Sequence, residues 1–366
     1  MDRVQSVAFQ TGWAIQKTLY IHCGLHKTGS TSAQVQLAGL HDRLRDTGVL
    51  LHMPGGTRVA HHQHASCFYA SKRYARKQAL LDALASDIRA FPGHSVLISS
   101  EDFETSLADP EALARMKDFA QSAGARPVFL VYLRNPIDYF ESLYLQMLMH
   151  GQPYDADELL ERVLQDGCYA YRKWIFHFDY AHIASAVEHV GGLIVRNYHT
   201  LVGGSSTYDI LDAIGHPVDA EPATEQRRIG ARRKTANVWR FLTNRDRAQR
   251  PTKRWLRPVD RIMADYPLSL SLGARARMLD RFQNPIAEID QKYGIGLSEL
   301  MAKPAKTGPR AALERIFTDA NAQHLMKAWS AGAETIPDDL IEGFRADWIV
   351  DTAEESPASP TSPGTS

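Results

Sequence analysis

Between Thr18 and Tyr198, short apolar runs alternate with stretches of helical spacing. Thr18–Cys23, Val49–Met53, Ser95–Glu101, Pro127–Leu133 and Gly192–Tyr198 are compact apolar segments flanked by polar, Gly or Pro residues, and such runs predict buried strands. From Thr31, the positions Gln34, Val35, Leu37 and Leu40 set a helical pattern that reaches about Asp46, where Gly48 supplies a stop. In Ser71–Ala90, Leu80, Leu81, Leu84 and Ile88 share one face, while Lys72, Arg73, Arg76 and Lys77 occupy the leading half. Pro110–Ala123, Asp155–Asp166 and Arg172–His189 carry helical patterns too, and beyond Gly203 the chain reads as mainly helical. Pro54-Gly55-Gly56 and Pro92-Gly93 punctuate the series. Strands alternating with helices form a mostly parallel sheet covered on both faces, so the expected fold class is α/β, a three-layer α/β/α arrangement with a helical C-terminal portion.

Domain organisation follows the same pattern. Residues 1–17 read as an N-terminal extension, 18–300 as one α/β domain with its core in 18–200 and a mainly helical part in 204–300, and 301–350 as a C-terminal helical extension. Residues 351–366, rich in Pro, Ser and Thr, read as a disordered tail. With 42 Lys and Arg against 42 Asp and Glu, the chain gives no reason to expect nucleic acid as a partner. The charge is uneven, however: residues 227–261 hold thirteen Lys or Arg against two acidic residues. The cysteines Cys23, Cys67 and Cys168 lack metal-ligand spacing and read as reduced thiols of a cytoplasmic protein. Met1–Gln16 has no secretory pattern, and the longest strongly apolar run, Val128–Leu133, is too short for a transmembrane segment.

The chemistry concentrates where the first strand ends. Gly24-Leu25-His26-Lys27-Thr28-Gly29-Ser30-Thr31-Ser32 is a Gly/Ser/Thr-rich loop between a predicted strand and a predicted helix, an order that aims free backbone N–H groups and a positive helix end at an anion. The nucleotide-binding loop G-x-x-x-x-G-K-[ST] carries Lys directly after its second Gly. Here Gly24 and Gly29 keep that spacing, but Ser30 holds the lysine's place and the lysine is Lys27. A second motif follows the strongest strand: Arg134-Asn135-Pro136-Ile137-Asp138 at a strand end, then Ser142 eight residues after the arginine. Asn135 suits an N-cap, Pro136 the first helical position and Asp138 the first turn. In open α/β sheets ligands bind outside the carboxyl ends of the strands, so Lys27, Glu101 and Arg134, each following a different predicted strand, are expected at one rim.

His26-Lys27-Thr28-Gly29-Ser30-Thr31-Ser32 resembles the 5′-phosphosulfate loop of sulfotransferases that use 3′-phosphoadenosine 5′-phosphosulfate (PAPS), and Arg134 with Ser142 resembles their 3′-phosphate motif. The likeness covers roughly residues 18–200 and is closer to bacterial and carbohydrate-type members than to the small-phenol enzymes. It implies a P-loop NTPase-like fold and transfer of a sulfuryl group from PAPS to an acceptor hydroxyl or amine, releasing adenosine 3′,5′-bisphosphate without a metal. It assigns Lys27 to the bridging and sulfuryl oxygens, and it sets His26, Thr28, Gly29, Ser30, Thr31 and Ser32 around the 5′-phosphate. Arg134 and Ser142 take the 3′-phosphate. Glu101, in the position where the family keeps its base, becomes the catalytic base, and the acceptor is expected to be a carbohydrate or a lipid-linked sugar. The Arg-Lys-Gly segment that closes over the nucleotide in small-molecule members has no clear copy; Arg227-Arg228-Ile229-Gly230 and Arg232-Arg233-Lys234 are loose substitutes.

Ala60-His61-His62-Gln63-His64 has no Asp, Glu or Cys at matching helical spacing, so His61 and His64 are read as acceptor-facing histidines rather than metal ligands. Two other functions fit parts of the chain. One is a Mg²⁺-dependent kinase with a deviant phosphate loop, drawing an acidic ligand from Glu101 or Asp102. The other is a non-catalytic polyanion-binding protein that uses the basic stretch 227–261.

Overall fold

A computed structural model of the chain describes residues 16–53, 60–69, 77–218, 254–255, 268–302, 311–316 and 319–348. The chain divides into two compact units. Met1–Leu133, Trp174–Phe176 and Tyr180–Gln226 form the first, and Arg134–Lys173, His177–Asp179 and Arg227–Ser366 form the second.

The first unit is built on a five-stranded sheet. Its strands are β1 (Lys17–Gly24), β2 (Val49–Leu51), β3 (Ser95–Ser99), β4 (Ala125–Leu133) and β7 (Gly192–Asn197), in the order β2-β3-β1-β4-β7. Every pairing is parallel, and Ile21 of central β1 lies opposite Ile98 on one side and Phe129 on the other. Parallel strands need crossover helices, and those helices bury both faces. On one face, Leu97, Leu130 and Tyr132 pack with Ala33 and Leu37 of α1 (Ser30–Gly39), Leu44 of α2 (His41–Asp46), and Ile210 and Leu211 of a helix at Ser206–Ala213. On the opposite face, Val131 and Leu133 of β4 share a small apolar cavity with Tyr180, Ile183 and Val187 of a helix at Tyr180–Glu188. The expected three-layer α/β architecture is what the chain forms, with helices again in the C-terminal portion.

The remaining helices of this unit are α3 (His62–Tyr69), α4 (Gln78–Ala90) and α5 (Pro110–Ser122). α4 buries Leu81, Leu84 and Ile88 of the face read from the sequence, while Leu80 is half-buried; residues 71–76 of the expected helix lie outside the described residues. Two boundaries differ from expectation. The helix expected to run from Thr31 to Asp46 is two helices, broken at Gly39-Leu40, because Gly is a weak helix former and Leu40 leaves helical geometry at φ −101° and ψ 3°. After β3, Ser100 caps a 3₁₀ helix, Glu101–Ser106, that the periodicity did not announce.

In the second unit, α6 (Pro136–His150) starts as read: Asn135 is the N-cap and accepts the Ile137 N–H at 2.9 Å, Pro136 opens the helix and Asp138 lies in the first turn. α7 (Ala156–Asp166) has a full capping box between Asp155 and Glu158 and ends on left-handed Gly167. The helix expected over Arg172–His189 is a correction: strands β5 (Cys168–Tyr171) and β6 (Trp174–His177) come first, with Arg172 left-handed at φ 56° between them, and only α8 (Tyr180–Glu188) is helical. The aromatic and β-branched run Trp174-Ile175-Phe176 favours a strand over the helical spacing it happens to satisfy. Phe178 packs against Tyr139 at 4.9 Å and Phe282 at 6.1 Å between ring centroids, Phe282 belonging to the helix Leu272–Tyr293. Apart from Arg254 and Trp255, the basic stretch 227–261 lies outside the described residues, as does the tail. Among the described residues, no helix is long and apolar enough to cross a membrane.

Candidate functional site

β1 ends at Gly24, and the chain turns through residues 25–29 into α1. Three residues of this turn take left-handed backbone geometry: Gly24 at φ 67°, Lys27 at φ 66° and Gly29 at φ 80°. Glycine meets that demand without strain, but at Lys27 it costs about 1–3 kcal/mol and persists only where the surroundings impose it. They do so on both sides of Lys27. His26 donates its backbone N–H to Glu104 Oε2 at 2.8 Å, and its Nδ1 lies 2.7 Å from the same oxygen. Thr28 Oγ1 donates to the Leu25 carbonyl at 2.6 Å, and the Thr28 carbonyl accepts from Ser206 Oγ at 3.2 Å.

The helix that follows is open at its start. Gly29 is the N-cap of α1 and supplies no side-chain cap, and the first turn carries no acidic residue. The first N–H groups of a helix have no intrahelical partner, so this end presents donors and positive potential toward an anion. A Cβ built at Gly29 would lie 2.7 Å from Ser206 Oγ, so the backbone here runs close against α9 (Ser206–Ala213). Ser206 and Tyr198, whose ring would be 3.6 Å from that same Cβ, were not read as site residues. The run Gly203-Gly204-Ser205-Ser206-Thr207, another Gly/Ser/Thr turn into a helix, is the signal that marks them. α9 is fixed to the sheet by a buried network in which Asp209 takes a two-pronged contact from Arg196 at 2.6 and 2.9 Å and a hydrogen bond from Tyr132 at 3.1 Å.

Glu101 joins the loop. A Cβ at Gly24 would sit 3.5 Å from Glu101 Cβ, and Glu101 Oε2 accepts from Gln34 Nε2 of α1 at 3.1 Å. Lys27 and Glu101 are both half-buried. Two strand ends, β1 and β3, therefore deliver a cation and a carboxylate to one rim, as the parallel sheet requires. Arg134 is the residue after the last of β4, which pairs with β1, and it opens the second unit; Ser142 lies on α6. Both are half-buried. Next to Ser142, Glu141 accepts from the Leu270 amide at 2.9 Å and Arg275 at 3.2 Å. Burial raises its carboxyl to about 7 against the pull of those donors.

Histidines sheathe the carboxyl end of β3. His22 Nδ1 lies 2.7 Å from Ser99 Oγ, His61 Nδ1 accepts the Ser99 N–H at 3.0 Å, and His62 Nδ1 lies 2.9 Å from Ser100 Oγ. His61 and His64 are 0% and 1% exposed. They sit in a three-ring cluster with His52 whose centroids are 5.2–5.5 Å apart. Burial, then the neighbouring imidazoles His64 and His52, lowers His61 to about 3; burial and then His52 lower His64 to about 4, with Lys77 adding and the Leu80 backbone opposing. Burial lowers His22 to about 4, against the attraction of Glu101. Among the described residues, no group of three His, Cys, Asp or Glu side chains is arranged to hold a metal ion.

His26 behaves oppositely. Burial disfavours its charge, but the hydrogen bond to Glu104 and the carboxylates of Glu104, Glu101 and Asp102 outweigh it and raise its pKa. Its side chain turns inward, edge-on to Phe176 at 4.8 Å between centroids, rather than toward the mouth of the loop.

Compared with known protein families and with curated proteins, the chain matches no family model and none of the curated proteins.

Proposed function

We propose that the chain is a PAPS-dependent sulfotransferase acting on a hydroxyl or amine of a carbohydrate or lipid-linked acceptor in the cytoplasm. The observation that carries this reading is the juxtaposition of the uncapped α1 terminus, the left-handed Lys27 and the carboxylate of Glu101 around one strand-end loop. The residues present fit a phosphosulfate: backbone donors at the start of α1 suit a phosphate, and Lys27 supplies a cation beside them. Arg134 and Ser142 support the reading through the motif they form in the sequence, a guanidinium suited to the second phosphate and a hydroxyl on the helix that follows.

In the proposed reaction the acceptor oxygen attacks sulfur in line. The new S–O bond forms as the bond from sulfur to the bridging oxygen breaks, and that oxygen leaves on adenosine 5′-phosphate bearing its 3′-phosphate. Glu101 takes the acceptor's proton, and Lys27 with the loop amides stabilises charge on the departing oxygen; catalysis of this kind rests on positioning and electrostatics. Gln34 orients the Glu101 carboxylate. The test is mass-spectrometric detection of adenosine 3′,5′-bisphosphate formed from PAPS over a panel of sugar and glycolipid acceptors. Acceptor-dependent release, abolished in Lys27→Ala, supports the assignment. ATP consumption with Mg²⁺ in its place would make the chain a kinase.

A further inference from the structure

The loop's pairing with the 3₁₀ helix behind it has a role of its own. Glu104 is fully buried, and a single oxygen of it takes both the His26 amide and the His26 ring, so one carboxylate fixes the backbone and the side chain of the residue just before Lys27. The far side of the ring faces Asp102, whose Oδ1 is 3.8 Å from His26 Nε2 and accepts from Trp174 Nε1 at 2.9 Å. Phe176 closes the ring's edge. Nothing in a Lys residue favours φ 66°, and Thr28 restrains only the following side of the turn.

We propose that His26 is a positioning residue: clamped to Glu104, it holds the left-handed turn that presents Lys27 to the anion. The inference rests on reading this loop as the donor site. The charged and titratable groups facing His26 are Glu104, Asp102 and Glu101, with Cys23 near Glu104, His62 on the other side of Asp102 at 3.6 Å, and Lys27 beside it in the chain. Three carboxylates against one imidazole make the clamp strongest when His26 is protonated. Below its raised pKa the clamp is closed; as pH rises through that value His26 loses its proton and the clamp weakens. The bisphosphate's own ionisation near pH 6 makes it more anionic as pH rises, so a fall in affinity on the alkaline side has the opposite sign and is separable.

The experiment compares wild type, His26→Ala, His26→Asn and Glu104→Gln. Asn places a neutral, non-titrating donor where the ring Nδ1 stands. Two readouts are taken: hydrogen exchange of the segment 25–29 without ligand, and calorimetric affinity for adenosine 3′,5′-bisphosphate from pH 6 to pH 9. His26→Ala and Glu104→Gln are expected to speed exchange of this segment about tenfold or more, with α5 unchanged, and to weaken binding by a similar factor. His26→Asn is expected to restore most of the protection and to abolish the alkaline loss of affinity. If Glu104→Gln does not fold, as a far-ultraviolet dichroism melt will show, the two His26 variants carry the test. Wild-type exchange and pH profile in His26→Ala would overturn the clamp while leaving the nucleotide reading intact. Altered exchange in a protein that never binds the bisphosphate would keep the clamp and remove the nucleotide reading.

Discussion

Glu101 Oε2 accepts a hydrogen bond from Gln34 Nε2 at 3.1 Å, which ties the carboxylate at the end of β3 to the helix that begins at the anion loop. The carboxylate proposed as base and the loop proposed as anion cradle are thus linked through one side chain. Gln34 also reaches Ser99 Oγ at 3.4 Å, and that hydroxyl contacts His22, so the link extends into the sheet.

Removing the proposed base while keeping its shape separates binding from chemistry. Glu101→Gln is expected to bind adenosine 3′,5′-bisphosphate like wild type and to lose roughly 10²–10⁴-fold in kcat. Gln34→Ala frees the carboxylate to rotate and also removes the contact to Ser99; it is expected to lose about tenfold, again in kcat rather than KM. Steady-state kinetics with PAPS checks both, and a fully active Glu101→Gln enzyme would move the base elsewhere.

Gly29 offers a conformational test. Alanine there must hold φ 80° and bring its Cβ to 2.7 Å from Ser206 Oγ. The left-handed geometry costs about 1–2 kcal/mol, and the hydroxyl contact adds to it. Gly29→Ala is expected to lower the melting temperature and weaken anion binding, and adding Ser206→Ala is expected to recover the contact part but not the backbone part. Because Ser206 Oγ also donates to the Thr28 carbonyl, the recovery is read against Ser206→Ala alone, and no recovery beyond that reference would mean that Ser206 swings away at no cost.

Acid stability follows from the buried histidines. His61 is lowered to about 3, and His22 and His64 to about 4, whereas an unfolded histidine titrates near 6.5. Between those values the unfolded chain binds the extra protons, so stability is fully present above about pH 6.5 and falls as pH drops toward 4, by up to about 1.4 kcal/mol per pH unit for each such group. Urea unfolding at pH 5 and pH 7 on wild type and His64→Leu measures it. The variant is expected to show a shallower dependence, and an unchanged slope would mean that His64 is protonated in the fold.

Arg196 and Asp209 hold α9, and through Ser206 they hold the loop. Asp209→Asn leaves Tyr132 and Arg196 bonded to a neutral partner and is expected to cost about 2–3 kcal/mol. If α9 buttresses the loop, bisphosphate affinity falls as well, which titration alongside the melt will show.

The sheet and most of its helices were legible because burial on both faces writes strands as continuous apolar runs, as at Val128–Leu133, and helices as one-sided ones, as at Leu81, Leu84 and Ile88. The capped start of α6 was legible for a local reason, the Asn-Pro-x-Asp chemistry of a helix N-terminus. β6 was misread because Trp174, Ile175 and Phe176 satisfy a helical period by coincidence with the real helix after them. The loop and the proximity of Glu101 to it followed from strand-end geometry. What the sequence did not disclose was tertiary: Glu104 behind His26 and Ser206 against Gly29 join residues from distant parts of the chain, and the three-ring cluster of His52, His61 and His64 forms only where the end of β2 meets the start of α3.

Whether the loop holds the sulfuryl donor is decided by calorimetric titration of adenosine 3′,5′-bisphosphate in the absence of metal, on wild type and on Lys27→Ala and Arg134→Ala. Micromolar binding by wild type is expected, weakened at least tenfold in each variant, with ATP no better when Mg²⁺ is added. No bisphosphate binding, together with Mg²⁺-dependent ATP binding that needs Lys27, would contradict it.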